Sequence, residues 1–164
     1  GGLPKWIAEG RPVDDLAVTP QERHFTPRFQ ADIVRSIDQM KRNLDTGREQ
    51  VIDARAAGRF EGRDPEPRAG LRGGHIPGAR HYEWTRAMDR ANALRVRPLD
   101  DIRAELAALG ITADKTVITH CQTHHRSGFT YLIGKLLGFP HLKGYAGSWS
   151  EWITDPSRPV ATGD

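Results

Sequence analysis

Apolar positions along the chain follow two periods in alternation. Ile33, Ile37, Met40 and Leu44 recur at helical spacing, with Asp32 as a candidate N-cap and Gly47 just past the end, so the spacing predicts a helix. Val51-Ile52 is a short β-branched run that reads as a buried strand. Asp100 and Asp101 open a second helix carrying Ile102, Leu106 and Leu109 and closed by Gly110. Val117-Ile118-Thr119 is the next buried strand, residues 127–137 a third helix ending at Gly138, residues 142–145 a last strand, and residues 148–153 a short terminal helix. Residues 24–29 read as one more short strand, confined to a sheet edge by Pro27. Strands alternating with helices predict an α/β fold, a doubly wound parallel sheet flanked by helices. Such sheets bind ligands beyond the carboxyl ends of their strands, which is where Cys121 falls.

Two stretches interrupt this alternation. Residues 55–80 hold nine Gly or Pro in 26 positions and five Arg before Arg80, a long loop of the kind that usually carries function. At the other interruption, residues 14–22 are a polar linker, preceded by Gly1-Gly2-Leu3-Pro4-Lys5-Trp6-Ile7 and Arg11-Pro12-Val13. A similar phrase closes the chain, Gly147-Ser148-Trp149-Ser150-Glu151-Trp152-Ile153 leading to Arg158-Pro159-Val160. This echo, with the absent initiator Met, gives the expectation that residues 1–22 are the tail of a preceding homologous domain plus linker, and that residues 23–164 form one complete unit.

A length of 164 residues suits one domain. With 37% hydrophobic and 27% charged residues the chain has a soluble composition, and no apolar run approaches the roughly 20 residues of a membrane-spanning helix. No charged-then-apolar leader opens it, so the expected location is cytoplasmic. The net charge of +3 is not laid out as a lysine-rich arm or an aromatic-interleaved stripe, which argues against nucleic acid as a partner. Of the 24 basic residues 19 are Arg, and 11 of these lie between Arg55 and Arg103, where planar guanidinium forks suit small oxyanions.

A single cysteine excludes an intrachain disulfide and a multi-cysteine zinc site. Cys121 stands where a predicted strand turns into a helix, followed by Gln122, Thr123, His124, His125, Arg126 and Ser127. Successive N–H groups in such a turn form an anion-binding nest, and the helix adds its positive end. A thiol there is expected to have a lowered pKa, which favours a nucleophile over a buried filler. His120, Cys121, His124 and His125 are an unsuitable zinc set, because adjacent histidines on a tight nest seldom converge tetrahedrally.

The phrase Gly74-His75-Ile76-Pro77-Gly78-Ala79, the Asp53-Ala54-Arg55 that follows an apolar strand, the Cys121 loop and the closing Gly147-Ser148-Trp149 with Trp152 together resemble the rhodanese sulfurtransferases. Arg59-Phe60-Glu61-Gly62 and Asp64-Pro65-Glu66-Pro67-Arg68 are similar to the long substrate loop of the catalytic C-terminal domain in two-domain thiosulfate or 3-mercaptopyruvate sulfurtransferases. The resemblance implies transfer of a sulfane sulfur from thiosulfate or a related donor to a thiophile such as cyanide. It also implies a Cys121 persulfide cradled by residues 122–127, with no cofactor and no metal. Arg59 and Arg68 match donor-binding positions, Asp53 is expected to pair with an Arg of the long loop, and His75 is expected to hold that loop. Trp149 and Trp152 read as core or domain-contact residues. The family usually has Gly at the fourth loop position, where this chain has His124, and the basic cluster leans toward an inorganic dianion over a keto acid.

Two other readings stay open. Cysteine-dependent phosphatases and arsenate reductases also use His-Cys followed by Arg, but their loop places five residues between the two, against four here, Gln122 to His125. A non-catalytic rhodanese-fold sulfur-carrier or binding module would keep the fold and lose the reaction.

Overall fold

The computed structural model describes residues 2–163. Four parallel strands form the central sheet: β1 (Gln50–Asp53), β2 (Arg80–His81), β5 (Val117–His120) and β6 (Leu142–Gly144), in the spatial order β2-β1-β5-β6. The two central strands are buried on both faces, as their unbroken apolar character demands. Neighbouring side chains point to opposite sides. Ile52 and Val117 enter one core with Ile102 and Leu106 of α4 (Leu99–Ala108) and Ile133 of α5 (His125–Leu136). Val51 and Ile118 enter the other with Met40 of α2 (Ile37–Thr46), Phe60 of α3 (Ala57–Phe60) and Trp149 and Trp152 of α6 (Ser148–Trp152). The architecture is therefore the expected α/β one, a parallel sheet with helices on both faces.

Several boundaries differ from those the sequence predicts. Residues 24–29 form no strand, and Phe25 and Phe29 are exposed. Pro27 removes a donor, and the edge beside β6 is instead met by Val34, which bridges Gly144 in parallel. The first predicted helix starts later, at Ile37, because Ser36 and not Asp32 caps it: the Ser36 hydroxyl accepts from the Gln39 N–H while the Gln39 side chain accepts from the Ser36 N–H. Gly47, at φ 58°, ends it as expected. α4 begins at Leu99 after Pro98, with Asp100 and Asp101 in its first turn and no side-chain cap. α5 begins two residues early, at His125.

The sequence pattern gave no sign of α1 (Gly2–Ala8), the strand β2, or the antiparallel pair β3 (Met88–Asp89) and β4 (Arg95–Val96). All are too short for a period to register. The long loop is not uniformly irregular either, since α3 lies inside it. His75 closes that loop onto the C-terminal segment: its N–H and carbonyl pair with Ala161, its Nδ1 meets the Phe60 carbonyl at 2.8 Å, and its ring stacks on Phe60 at 3.7 Å.

Candidate functional site

β1, β5 and β6 all end on one side of the sheet, at Asp53, His120 and Gly144, and the residues that follow them build a single site there. Cys121 is the first residue after β5, and its side chain is buried. Its backbone is held from α6, where Trp149 N–H donates to the Cys121 carbonyl at 3.0 Å and Ser150 N–H to the Gln122 carbonyl at 3.1 Å. Ser148, in the left-handed region at φ 54°, donates its hydroxyl to the Tyr145 carbonyl at 2.9 Å and accepts from the Cys121 N–H at 3.4 Å.

The chain then turns sharply. His124 is the N-cap of α5 and has φ 67°, a left-handed conformation that non-glycine residues rarely adopt. This single residue redirects the chain so that the next N–H groups belong to the first turn of α5 and lack helical acceptors. Burial pushes the Cys121 thiol up, but the Ser127 N–H and hydroxyl and the N–H groups of Thr123 and Arg126 favour the thiolate and outweigh that effect, leaving the thiol below its ordinary value. Thr123, Arg126 and Ser127 are thus the loop residues whose donors act on the thiol. His125 lies exposed at the rim, its Nδ1 against the Thr123 hydroxyl at 3.0 Å.

Under this loop lies a layer of buried charge. Arg55 and Asp53 are fully buried and paired, with Arg55 Nε 3.0 Å from both carboxylate oxygens and Nη2 2.6 Å from Oδ2. Nη2 also donates to the Gly74 carbonyl at 2.6 Å, and the guanidinium lies over the Trp149 ring at 4.5 Å. The Arg of the long loop that meets Asp53 is therefore its first residue. Arg55 Nη1 faces Glu66 Oε1 at 3.7 Å, and Glu66 Oε2 accepts from the Gln122 side chain at 3.1 Å, joining the long loop to the cysteine loop. Sequence reasoning missed Glu66. Its one signal was a charged residue flanked by Pro65 and Pro67, which fix the backbone around it.

Burial pushes the Asp53 carboxyl up, but His120 and Arg55 outweigh it and hold the group below the usual carboxylate range. Burial lowers His120, with Asp53 3.7 Å away opposing the shift only in part. His120 is thus neutral near pH 7. Its depressed pKa means that the folded protein binds fewer protons than the unfolded chain just below about pH 6.5, so this contribution to stability is present above that value and lost as pH falls through it. Burial depresses His124 as well, with His125 adding to the effect. Thermal melts are expected to show Tm falling between about pH 7 and pH 5, with a shallower slope in His120→Gln. A slope unchanged in that variant would assign the acid sensitivity to other groups.

Arg59 sits on α3 with Nη1 buried and without a hydrogen-bond partner among the described residues, a group able to take an anion. Arg68 lies exposed farther along the loop. Among the described residues no group of three His, Cys, Asp or Glu side chains is placed to hold a metal ion.

Residues 36–155 match the family model described as "Rhodanese-like domain". The chain is 46% identical over 160 residues to a thiosulfate sulfurtransferase of Azotobacter vinelandii and 45% identical over 160 residues to one of Pseudomonas aeruginosa. Each alignment covers 98% of this chain, which spans 57% of the length of either relative. The fold is shared with the anaerobic ergothioneine biosynthesis enzyme of Chlorobium limicola, at a TM-score of 0.87 and 24% identity over 99% of this chain and 40% of that one.

Proposed function

Because the chain belongs to the rhodanese-like domain family, we propose that it is a sulfurtransferase that carries a sulfane sulfur on Cys121, taking it from thiosulfate and passing it to a thiophile. The observation that carries this reading is the ring of backbone and hydroxyl donors around the Cys121 sulfur, which favours an anionic sulfur at that position. The Cys121 thiolate attacks the outer sulfur of thiosulfate. A new S–S bond forms on the enzyme, the S–S bond of thiosulfate breaks, and sulfite leaves with its electron pair. The persulfide's terminal sulfur carries negative charge, which the donors of residues 122–127 stabilise as preorganised dipoles stabilise an oxyanion. A thiophile such as cyanide then attacks that outer sulfur, the Cys121 thiolate is the leaving group, and the kinetics are ping-pong.

Two features support sulfur over phosphorus. The loop has only four residues between Cys121 and Arg126, and both thiosulfate sulfurtransferases align over nearly the whole chain. The protein is expected to release thiocyanate from thiosulfate and cyanide and to leave an aryl phosphate intact. Phosphate release without thiocyanate would replace this reading with the phosphatase one, and sulfur loading without turnover would replace it with the carrier one.

The donor's negative end is assigned to Arg59 and Arg68. Arg59→Ala and Arg68→Ala are each expected to lower kcat/KM for thiosulfate by one to two orders of magnitude, roughly 1.5–3 kcal/mol for a charge-assisted contact. Attack of cyanide on preformed persulfide should change much less, and equal losses in both half-reactions would make these arginines supports of the fold. Residues 1–22 are proposed to belong to a preceding domain of the same protein that walls one side of the site. The exposed Leu3, Trp6 and Ile7 of α1 support this, as does the share of the relatives' length that the chain spans.

A further inference from the structure

The structure gives the His124 side chain both a seat and a partner. The ring lies against Gly144 of β6 so closely that a Cβ on Gly144 would stand 2.5 Å from Nε2 and 2.8 Å from Cε1. The other edge of the ring turns inward, with Nδ1 2.8 Å from the Ser127 hydroxyl oxygen. That same hydroxyl is one of the groups that lower the Cys121 thiol.

A serine hydroxyl has one proton to give. Given to the sulfur, it cannot also be given to His124 Nδ1, nor to the His124 carbonyl 3.3 Å away. With that proton given to the sulfur, Nδ1 carries the hydrogen and donates to the Ser127 oxygen, which leaves Nε2 unprotonated against the Gly144 backbone. Ser127 itself is anchored through its carbonyl, which accepts from the Thr119 hydroxyl at 3.2 Å, so the remaining freedom is rotation of its O–H.

We propose that His124 is a positioning residue: seated on Gly144, it donates from Nδ1 to Ser127 and so aims the Ser127 hydroxyl at the sulfur of Cys121. The ring acts as a neutral donor. Burial and the neighbouring His125 hold its pKa down, and His120 at the end of β5 is a further titratable group coupled to it. The role rests on Cys121 being the sulfur-accepting thiol, but the test reads the thiol directly, so the two ideas can fail separately.

The test is the pH dependence of Cys121 alkylation by iodoacetamide in four single variants and one double variant. His124→Gly keeps the left-handed backbone and removes the donor. It is expected to move the midpoint up and to slow alkylation below the wild-type midpoint by about three- to tenfold. His124→Asn tolerates the same φ and places an amide N–H where Nδ1 stood, so it should restore the wild-type profile. Gly144→Ala leaves an unstrained φ but drives the imidazole from its seat, and should behave as His124→Gly does. Ser127→Ala should give a shift at least as large, and adding His124→Gly to it should change nothing further. Additive shifts, a failure of Asn to rescue, or an unmoved midpoint in both His124→Gly and Gly144→Ala would overturn the role. Loss of thiocyanate formation in the wild type with these shifts intact would instead count against the sulfurtransferase reading alone.

Discussion

Cys121→Ser is expected to fold and to lose thiosulfate-to-cyanide transfer down to background, a fall of about four orders of magnitude or more. The chemistry leaves little residual route. A serine hydroxyl is not ionised at neutral pH, and the cradle that lowers the thiol cannot bring an alcohol into range. An alkoxide would also form an S–O bond where the reaction requires an exchangeable S–S bond. The fold should survive, because the donors that surround the sulfur can instead hydrogen-bond the serine oxygen, which limits the cost of burying a hydroxyl to about 1 kcal/mol. Thiocyanate assays on variant and wild type with matched thermal melts check both halves. Retained transfer by a folded Cys121→Ser protein would remove Cys121 from the reaction.

The largest expected loss of stability is in Arg55→Ala. The change strips Asp53 of its bidentate partner while both groups have no exposure to water, and it also leaves the Gly74 carbonyl without its donor and Glu66 without its facing cation. Leaving a buried carboxylate unpaired costs about 3–5 kcal/mol, which for a chain of this size lowers Tm by roughly 6–20 °C. Removing the carboxylate too should recover part of that loss, so Asp53→Ala with Arg55→Ala is expected to cost clearly less than the sum of the single changes. Because this pair lies under the cysteine loop and reaches it through Glu66 and Gln122, the surviving folded fraction should also show slower sulfur loading. Strictly additive losses in thermal or denaturant melts would show that Asp53 and Arg55 act independently.

The sheet was legible because its strands are buried on both sides: Val51-Ile52 and Val117-Ile118 needed only to be apolar and β-branched to be recognised, and the structure sends alternate residues into opposite cores. The cysteine loop was legible for a different reason. A cysteine between an apolar strand and a helix, with histidines and an arginine after it, has few structural uses. What stayed hidden depended on contacts between segments distant in sequence. Ser148 reaches the cysteine loop from the far end of the chain, Glu66 reaches Gln122 across more than fifty residues, and Gly144 seats His124. The edge strand expected at residues 24–29 failed because two phenylalanines and a threonine around Pro27 do not make a strand where no neighbour offers pairing, and the chain made its bridge at Val34 instead.

The central claim is that Cys121 carries the transferred sulfur, and intact-mass spectrometry of the protein after incubation with thiosulfate tests it most directly. The account predicts a mass increase of one sulfur atom, removed by cyanide or dithiothreitol and absent from Cys121→Ser. An unchanged mass in a folded, thiosulfate-treated wild-type protein, or a sulfur adduct that persists in Cys121→Ser, would contradict it.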